Sequence, residues 1–348
     1  MPALRKSGAI HHHALLNKAS GAEINLTGIR GFWTMRRDDG NLFQGVAAGV
    51  LAGALWGLVF IAPRLTPDFT PVQISLARYL AYGLLALPLL APGWRARLGG
   101  KLARADWMAL VWLGLTGNVI YYICLAVAVN LAGPAPTSLI IGLLPVVITL
   151  VGTREAGAVP LKRLLQPLLL VMAGVALISA NALVLAPQDW WRQALGLLSA
   201  MGALGCWTIY AVLNARCVAR LEHISAQDWS LLLGIVTAAE CAVFAMPAFL
   251  LSPVPAGGGA WLTFLGVSFG IALLASVIGN SLWNFASRRL PLTMTGQLVV
   301  FETLFALVYS FGWEGRWPTL LELLAIAALL GGVWWCVSRH RVDHPAHD

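Results

Sequence analysis

Residues 45–57 read GVAAGVLAGALWG, an uncharged run with a glycine at every fourth position. Gly45, Gly49, Gly53 and Gly57 fall on one face of a helix, because an α-helix has about 3.6 residues per turn. Small residues at this spacing let a second helix approach closely, as is common in membrane proteins. The pattern predicts a tightly packed helix face, or a surface along which two helices slide during a conformational change.

The whole chain shares the scarcity of charge seen in this run. Of its 348 residues, 59% are apolar and 11% are charged, whereas a soluble domain carries about 25% charged residues. A soluble globular protein of this length would lack polar residues to cover its surface. The composition also excludes collagen-like, disordered and small disulfide-rich proteins. It predicts an integral membrane protein.

Ten apolar segments follow one another along the chain, and most have the roughly 20 residues that a membrane-spanning helix needs. The sequence predicts an all-α membrane protein with ten transmembrane helices, a tail at residues 1–41 and a second tail at residues 339–348. The predicted segments are 42–62, 71–91, 107–131, 136–152, 164–185, 193–213, 228–251, 260–286, 292–312 and 319–338.

The basic residues predict the orientation of these segments. If the sides alternate, 19 of the 23 Lys and Arg residues fall on one side, three fall on the other, and Arg78 lies inside a segment. Cytoplasmic loops are enriched in Lys and Arg, so both termini are expected in the cytoplasm. This bias and an attraction to anionic lipid account for the net charge of +8 without nucleic acid as a partner.

The two halves of the chain, 42–185 and 193–338, have similar layouts. Trp56 and Trp207 each occupy the fifteenth position of the first segment of their half, and Asn118 and Asn280 fall in the third segments. Because each half contains five helices, an odd number, the second half must lie upside down relative to the first. Such inverted repeats are common in secondary transporters.

Aromatic and amide side chains inside the segments are the candidate substrate-binding residues. Trp56 and Trp207 lie away from the segment ends, where tryptophan normally anchors a helix at the membrane surface. They could line a central cavity and stack on an aromatic ligand, or they could pack against neighbouring helices. The amides could bind a ligand or join two helices. The other candidates are Tyr79, Asn118, Tyr121, Tyr122, Tyr210, Trp283 and Asn284.

Three ionisable residues, Arg78, Glu240 and Glu302, lie within the predicted segments. Charges at this depth are costly and usually face the bundle interior or a water-filled cavity, so each is a candidate for coupling or gating. Arg78 could instead extend its side chain towards the membrane surface. Either carboxylate could be protonated and have a purely structural role.

A membrane-embedded enzyme is the alternative from another functional class. All seven histidines lie outside the segments, and the sequence has neither an HExxH motif nor a Walker A motif, so the usual groups for hydrolysis or ATP-driven pumping are missing. The five cysteines have no CxxC spacing. We therefore expect no enzyme activity, no cofactor and no metal site. His11, His12 and His13 lie in a polar stretch, residues 1–34, that is typical of a disordered tail.

Several of these residues together resemble the EamA branch of the drug/metabolite transporter superfamily. They are Leu55-Trp56-Gly57, Arg78, a fourth segment centred on Pro145, Tyr122-Ile123-Cys124-Leu125-Ala126, and Trp283-Asn284 followed by Thr293-Met294. The resemblance is closest to the aromatic amino acid exporters of the YddG type. It implies ten helices around a central cavity, with Trp56, Trp207 and Tyr121 or Tyr122 at the cavity. It also implies export of aromatic and other apolar amino acids across a bacterial inner membrane.

One position departs from the family pattern. The second half of an EamA protein usually has Glu-Pro, whereas Glu302 is followed by Thr303 here, which predicts a straighter ninth helix. The sequence as a whole predicts a multi-pass secondary transporter for neutral, zwitterionic amino acids. Transport is expected to proceed by alternating access without ATP, and the protein could function as a monomer. A broader drug or metabolite exporter of the same fold is the second interpretation.

Overall fold

A computed structural model describes residues 26–132, 137, 140–154, 158–182, 190–255 and 257–342. Side chains are described for these residues except 26–40, 96, 178–182 and 340–342. The predicted tail residues 1–25, with the three adjacent histidines, and 343–348 lie outside the described residues. The chain divides between Phe43 and Gln44 into two units, and the side-chain contacts described below lie within the second unit, from Gln44 onward.

The described residues contain helices and no strands. We number ten helical spans in chain order, and a further helix of five residues, Trp94–Leu98, follows α2. The spans are α1 Asn41–Leu65, α2 Pro71–Leu90, α3 Arg104–Ala132, α4 Leu144–Gly152, α5 Leu161–Ala182, α6 Trp190–Arg220, α7 Ala226–Leu250, α8 Gly258–Ser287, α9 Leu292–Glu314 and α10 Leu320–Arg339.

Eight of these spans, all except α4 and α5, are long and apolar enough to cross a membrane within the described part of the chain. The described α4 has nine residues and would extend only about 14 Å. The predicted fourth segment, 136–152, includes positions that lie outside the described residues.

The helix that contains α1 begins earlier than the sequence predicted. It runs without interruption from Leu26 to Gly57, whereas the predicted segment starts at 42. No proline occurs between these two residues, so nothing in the backbone chemistry ends the helix there. After Gly57 the chain tightens into a 3₁₀ turn, Leu58–Ile61, and then one more helical turn, Ala62–Leu65.

Local signals in the sequence set the starts of α2 and α7. Thr70 accepts a hydrogen bond from the Gln73 backbone N–H, and the Gln73 side chain accepts one from the Thr70 N–H, which is a complete capping box. Pro71 occupies the first helical turn, where its missing N–H costs nothing. At α7, the Ser225 hydroxyl accepts from the Asp228 N–H at 2.9 Å.

The helices pack as four antiparallel pairs, α2 with α7, α3 with α6, α4 with α9, and α5 with α10. Individual contacts establish the directions. Arg97, beyond the end of α2, pairs with Asp228 at the start of α7. The starts of α3 and α9 are likewise joined to the ends of their partners, through Asp106 with Arg220 and Gly152 with Thr293. By contrast, α1 runs parallel to α9, as described below.

Ion pairs and carbonyl contacts join the helix ends on both sides of the bundle. On one side are the Arg97–Asp228 and Arg220–Asp106 pairs, and Arg288 donates hydrogen bonds to the carbonyls of Val218, Leu221 and Ile224. Burial lowers the pKa of Arg288, so these three carbonyls, at the end of α6 and just beyond it, take the place of water around the guanidinium.

On the other side, one acidic residue joins two arginines. Glu314 at the end of α9 pairs with Arg64 at 2.8 Å and with Arg316 at 2.6 Å. Arg316 also pairs with Glu322 of α10 at 2.8 Å. Hydrogen bonds to these two carboxylates raise the pKa of Arg316, so it is charged at every physiological pH. The network connects the ends of α1 and α9 with the start of α10.

Candidate functional site

Three tryptophans from three helices meet inside the bundle. Trp56 of α1, Trp207 of α6 and Trp283 of α8 have ring centroids 5.1–6.4 Å apart, and the Trp56 and Trp207 rings meet edge to face. All three are buried. We call them the tryptophan cluster. Tyr210 extends it, with its ring centroid 5.7 Å from that of Trp207. The rings therefore touch one another directly rather than facing each other across an open space.

A widened turn in α8 fixes the position of Trp56. Residues Ala272–Gly279 form a π-helical segment, in which backbone groups depart from the usual i→i−4 hydrogen bonds. The Trp56 Nε1–H donates to the Ala275 carbonyl at 3.0 Å and to the Asn280 amide oxygen at 3.2 Å. The indole also lies against Gly279, where a Cβ would come within 3.0 Å of Nε1. A larger residue than glycine would push the ring away.

The corresponding helix of the first half has the same local design. In α3, residues Leu115–Val119 form a second π-helical segment, and Gly117-Asn118 matches Gly279-Asn280 in sequence. Tyr210 of α6 lies against Gly117, where an added Cβ would collide with the ring. In both places an aromatic ring from the first helix of the other half occupies the space left by a glycine.

Arg78 and the three residues that contact it, Ser276, Tyr122 and Tyr79, form a charged site next to the tryptophan cluster. Arg78 of α2 is 7% exposed and donates from Nε to the Ser276 hydroxyl at 3.0 Å and from Nη1 to the Tyr122 hydroxyl at 3.2 Å. Its guanidinium carbon lies 5.0 Å from the Tyr79 ring centroid. Ser276 and Ala275 are neighbours in the π-helical segment of α8, so this segment contacts both the arginine and Trp56.

Tyrosines surround this arginine. The Tyr79 and Tyr122 ring centroids lie 5.8 Å apart, and those of Tyr121 and Tyr122 lie 5.2 Å apart, both pairs edge to face. Tyr121 of α3 and Glu302 of α9 are only partly buried, and each keeps some accessible surface.

Glu302 belongs to the part of α9 that packs on α1. The backbone of α9 is interrupted at Val299, between the helices Leu292–Leu298 and Val300–Glu314, and the Glu302 N–H bonds to the Val299 carbonyl at 3.1 Å. The absence of proline at 303 predicted a straighter helix. The tighter turn at Val299, three residues before Glu302, interrupts it without a proline.

The glycines of residues 45–57 face α9 and the residues just before it. A Cβ on Gly45 would meet Leu290, on Gly49 Leu298, on Gly53 Phe301 and Glu302, and on Gly57 Phe305 and Ala306, each within 3.0 Å. The contacts advance in the same direction along both chains, so α1 and α9 are parallel. The Tyr309 hydroxyl donates to the Ala54 carbonyl at 3.0 Å, which adds a polar contact to this surface.

Glu240 lies apart from both the tryptophan cluster and the charged site. Its carboxylate packs on Gly114 of α3, just before the π-helical segment, where an added Cβ would collide with Oε2. Both carboxylate oxygens are buried without a hydrogen-bond partner among the described residues. An ionised carboxylate is costly in such a place, so this arrangement suits the neutral, protonated acid.

The two amides among the predicted site residues connect helices. The Asn118 Nδ2 donates to the Thr237 hydroxyl of α7 at 3.2 Å. Asn284 accepts from Asn214 of α6 at 2.7 Å, and Asn214 in turn accepts from the Trp229 indole at 3.0 Å. Both predicted amides are buried in these contacts rather than placed against the tryptophan cluster.

Three residues of the site went unnoticed in the sequence. Ser276 and Gly279 contact Arg78 and Trp56, and Gly117 accommodates Tyr210. The repeated Gly-Asn pair was the available signal for the two glycines. Nothing in the sequence distinguishes Ser276 from other serines within helices. Among the described residues, no group of three His, Cys, Asp or Glu side chains could hold a metal ion.

The helical fold and its aromatic and charged interior define a class of membrane transporter. A model of the EamA-like transporter family matches residues 43–180 and again residues 194–338, and the chain belongs to this family. It is a multi-pass protein of the inner membrane. The matched family is one of transporters.

Two named relatives and one solved structure show how similar the chain is to individual proteins. The chain is 35% identical over 304 residues to the inner membrane protein YtfF of Escherichia coli, covering 84% of this chain and 94% of YtfF. It is 26% identical over 255 residues to the threonine/homoserine exporter RhtA of Salmonella typhimurium, covering 72% and 77% of the two chains. A solved crystal structure with 21% identity covers 84% of this chain and 97% of its own, with a TM-score of 0.63, and supports the fold.

Proposed function

We propose that the protein is a secondary transporter that exports aromatic and other neutral amino acids across the inner membrane. The observation that carries this proposal is the joining of an aromatic cluster to a charged site at one π-helical segment. Apolar side chains fit the rings, and the charged site fits the polar end of an amino acid. The similarity to RhtA, a threonine/homoserine exporter, supports amino acids as the substrate class, and the resemblance to YddG-type exporters favours aromatic ones.

Ten transmembrane helices in two inverted repeats, 42–185 and 193–338, with both termini in the cytoplasm, are part of this proposal. Support comes from the double match of the family model and from the helix pairs. A two-fold axis that exchanges the halves would map the pairs α2–α7, α4–α9 and α5–α10 onto themselves and α3–α6 onto α8–α1. Trp56 of α1 contacts α8 as that symmetry requires.

Alternating access is the proposed mechanism. Ion pairs hold helix ends together on both sides of the bundle, so opening either side requires some of them to separate while the other side stays closed. The glycine face of α1 against α9 provides a smooth contact along which these two helices can shift. The substrate would sit between the halves and leave when they rock about it.

A broad drug or metabolite exporter is equally consistent with the family. One observation favours it specifically: the side chains of the tryptophan cluster are apolar rings, and a flat molecule that reaches them needs no charge to stack on them. The two functions differ in whether transport requires the polar end of an amino acid.

Flux into or out of sealed vesicles tests the proposal directly. Purified protein in proteoliposomes should exchange labelled tryptophan, phenylalanine or threonine faster than empty vesicles do. If none of the three labels moves faster, the amino acid function is wrong. If a labelled apolar drug moves and the amino acids do not, the broad exporter is the correct interpretation.

Alanine variants test the role of the tryptophan cluster. Trp56→Ala and Trp207→Ala should reduce flux by about tenfold or more, because each removes an aromatic contact from the proposed substrate site, where a loss of about 1.4 kcal/mol is a factor of ten. Trp190→Ala is the matched control, since Trp190 is 80% exposed and lies at the start of α6. Equal losses in all three variants would contradict a role for the cluster in transport.

A further inference from the structure

We propose that Arg78 and Glu302 together bind the two charges of a zwitterionic α-amino acid, the carboxylate on Arg78 and the ammonium on Glu302. The proposal rests on the transport function above and assigns the residues that select its substrate. It predicts that a molecule lacking either charge is a poor substrate, however well its side chain fits the aromatic rings.

Arg78 is held in place by neutral groups alone. Ser276 and Tyr122 accept hydrogen bonds from Nε and Nη1, and the guanidinium lies near the Tyr79 ring. No described group accepts from its second terminal nitrogen, Nη2. An arginine in the membrane interior is costly unless an anion or polar groups compensate it. Its fixed orientation and free donor suit a carboxylate, which guanidinium groups bind through paired hydrogen bonds.

Glu302 is the complementary group. It interacts electrostatically with Arg78, but the two side chains form neither an ion pair nor a hydrogen bond. No described group donates a hydrogen bond to its carboxylate, and the residue is only partly buried. Because the two opposite charges do not pair with each other, each remains available to a molecule that carries both charges. A zwitterion between them would satisfy both at once.

The direction of the substrate side chain follows from α8. Ser276 contacts Arg78, and the adjacent Ala275 carbonyl accepts from Trp56. The residue of α8 that contacts Arg78 is therefore adjacent to the residue that contacts Trp56. An amino acid bound at Arg78 lies close to the tryptophan cluster. An aromatic or aliphatic side chain would extend towards these rings and lose contact with water, which is favourable for apolar surface.

Glu240 is not suited to this role. Its carboxylate is sealed against Gly114 of α3, its oxygens are buried, and it has no cation beside it among the described residues. A substrate ammonium group would have to displace α3 to reach it. The pairing with Arg78 is therefore assigned to Glu302 alone.

Competition in the proteoliposome assay tests the proposal. Uptake of labelled phenylalanine should be inhibited by unlabelled phenylalanine, and at least about tenfold more weakly by phenylalaninamide, which lacks the carboxylate, and by N-acetylphenylalanine, which lacks the ammonium. The same comparison with threonine, threoninamide and N-acetylthreonine covers the case in which threonine is the better substrate.

Variants assign each charge to its residue. Arg78→Gln should weaken inhibition by phenylalanine while leaving inhibition by phenylalaninamide unchanged, and Glu302→Gln should do the same with respect to N-acetylphenylalanine. A general folding defect would weaken inhibition by all of the compounds. A loss of inhibition that is limited to the compounds carrying one of the two charges therefore identifies the residue that binds that charge. Arg192→Gln and Glu222→Gln replace exposed residues and serve as the matched controls. Each compound should inhibit transport by these two variants as strongly as it inhibits transport by the unaltered protein.

The outcomes separate this proposal from the transport function. If phenylalanine and threonine are transported and the single-charge analogues inhibit as strongly as the amino acids, the zwitterion site is wrong and the transport function stands. If both charge variants lose all inhibitors equally, the assignment of the two charges is wrong. If no amino acid is transported, both proposals fail.

Discussion

Trp56 shows how much a single side chain at the centre of the bundle contributes to its stability. Its indole N–H is shared between a backbone carbonyl of α8 and an amide of the same helix. Trp56→Phe keeps an aromatic ring but removes this donor, so the Ala275 carbonyl loses its contact. Hydrogen bonds between helices in membranes contribute about 0.6–2 kcal/mol, and thermal unfolding in detergent should report a loss of stability of that size.

The control for this prediction is Trp190→Phe. Trp190 has no described hydrogen bond from its indole and is largely exposed, so its replacement should leave the melting temperature within error of the unaltered protein. A Trp56→Phe variant that melts at the same temperature as both would show that the indole N–H does not stabilise the bundle.

At the scale of a helix, the contact between α1 and α9 shows most clearly how side-chain size sets the distance between two helices. A Cβ at Gly53 would lie 2.7 Å from the Phe301 Cβ and 3.0 Å from the Glu302 backbone nitrogen. Backbone atoms cannot rotate away, so Gly53→Ala should separate the helices and cost about 1–3 kcal/mol. Because Glu302 lies on the displaced helix, the affinity for amino acids should fall as well.

A glycine of α8 provides the matched control. A Cβ at Gly266 would meet nothing within 4 Å, so Gly266→Ala should be neutral or stabilise its helix by up to about 1 kcal/mol. Denaturation of the two variants in the same detergent compares them directly. Equal stabilities would mean that α1 and α9 are not held at the distance described here.

For the whole molecule, the distribution of basic residues predicts the orientation. With both termini in the cytoplasm, Trp317, between α9 and α10, faces the periplasm and Glu222, between α6 and α7, faces the cytoplasm. In a background with the five cysteines replaced, Trp317→Cys should react with a membrane-impermeant maleimide in intact cells, and Glu222→Cys should react only after the cells are opened. The reverse pattern would invert the orientation.

Sequence reasoning reached the class of fold and several members of the site, for reasons specific to each. The matching positions of Trp56 and Trp207 in the two halves led to the prediction that their rings line a central cavity, and the structure brings the two rings into direct contact with each other. It missed Ser276 and the interruption at Val299, because a π-helical segment or a tightened turn changes which residues face each other without changing the hydrophobic pattern. The early start of the first helix at Leu26 was missed because polar residues do not by themselves end a helix.

The two widened turns also set the rotational phase of everything that follows them. Each residue advances an α-helix by about 100°, and a π-helical turn contains an additional residue. The segment Ala272–Gly279 therefore acts as a phase shift: on its far side, Asn280 and Trp283 face α1 and α6, although a regular helix would turn them elsewhere. Evolution could redirect this wall of the site by gaining or losing one residue there, without altering either the length of the membrane span or a single contact before it.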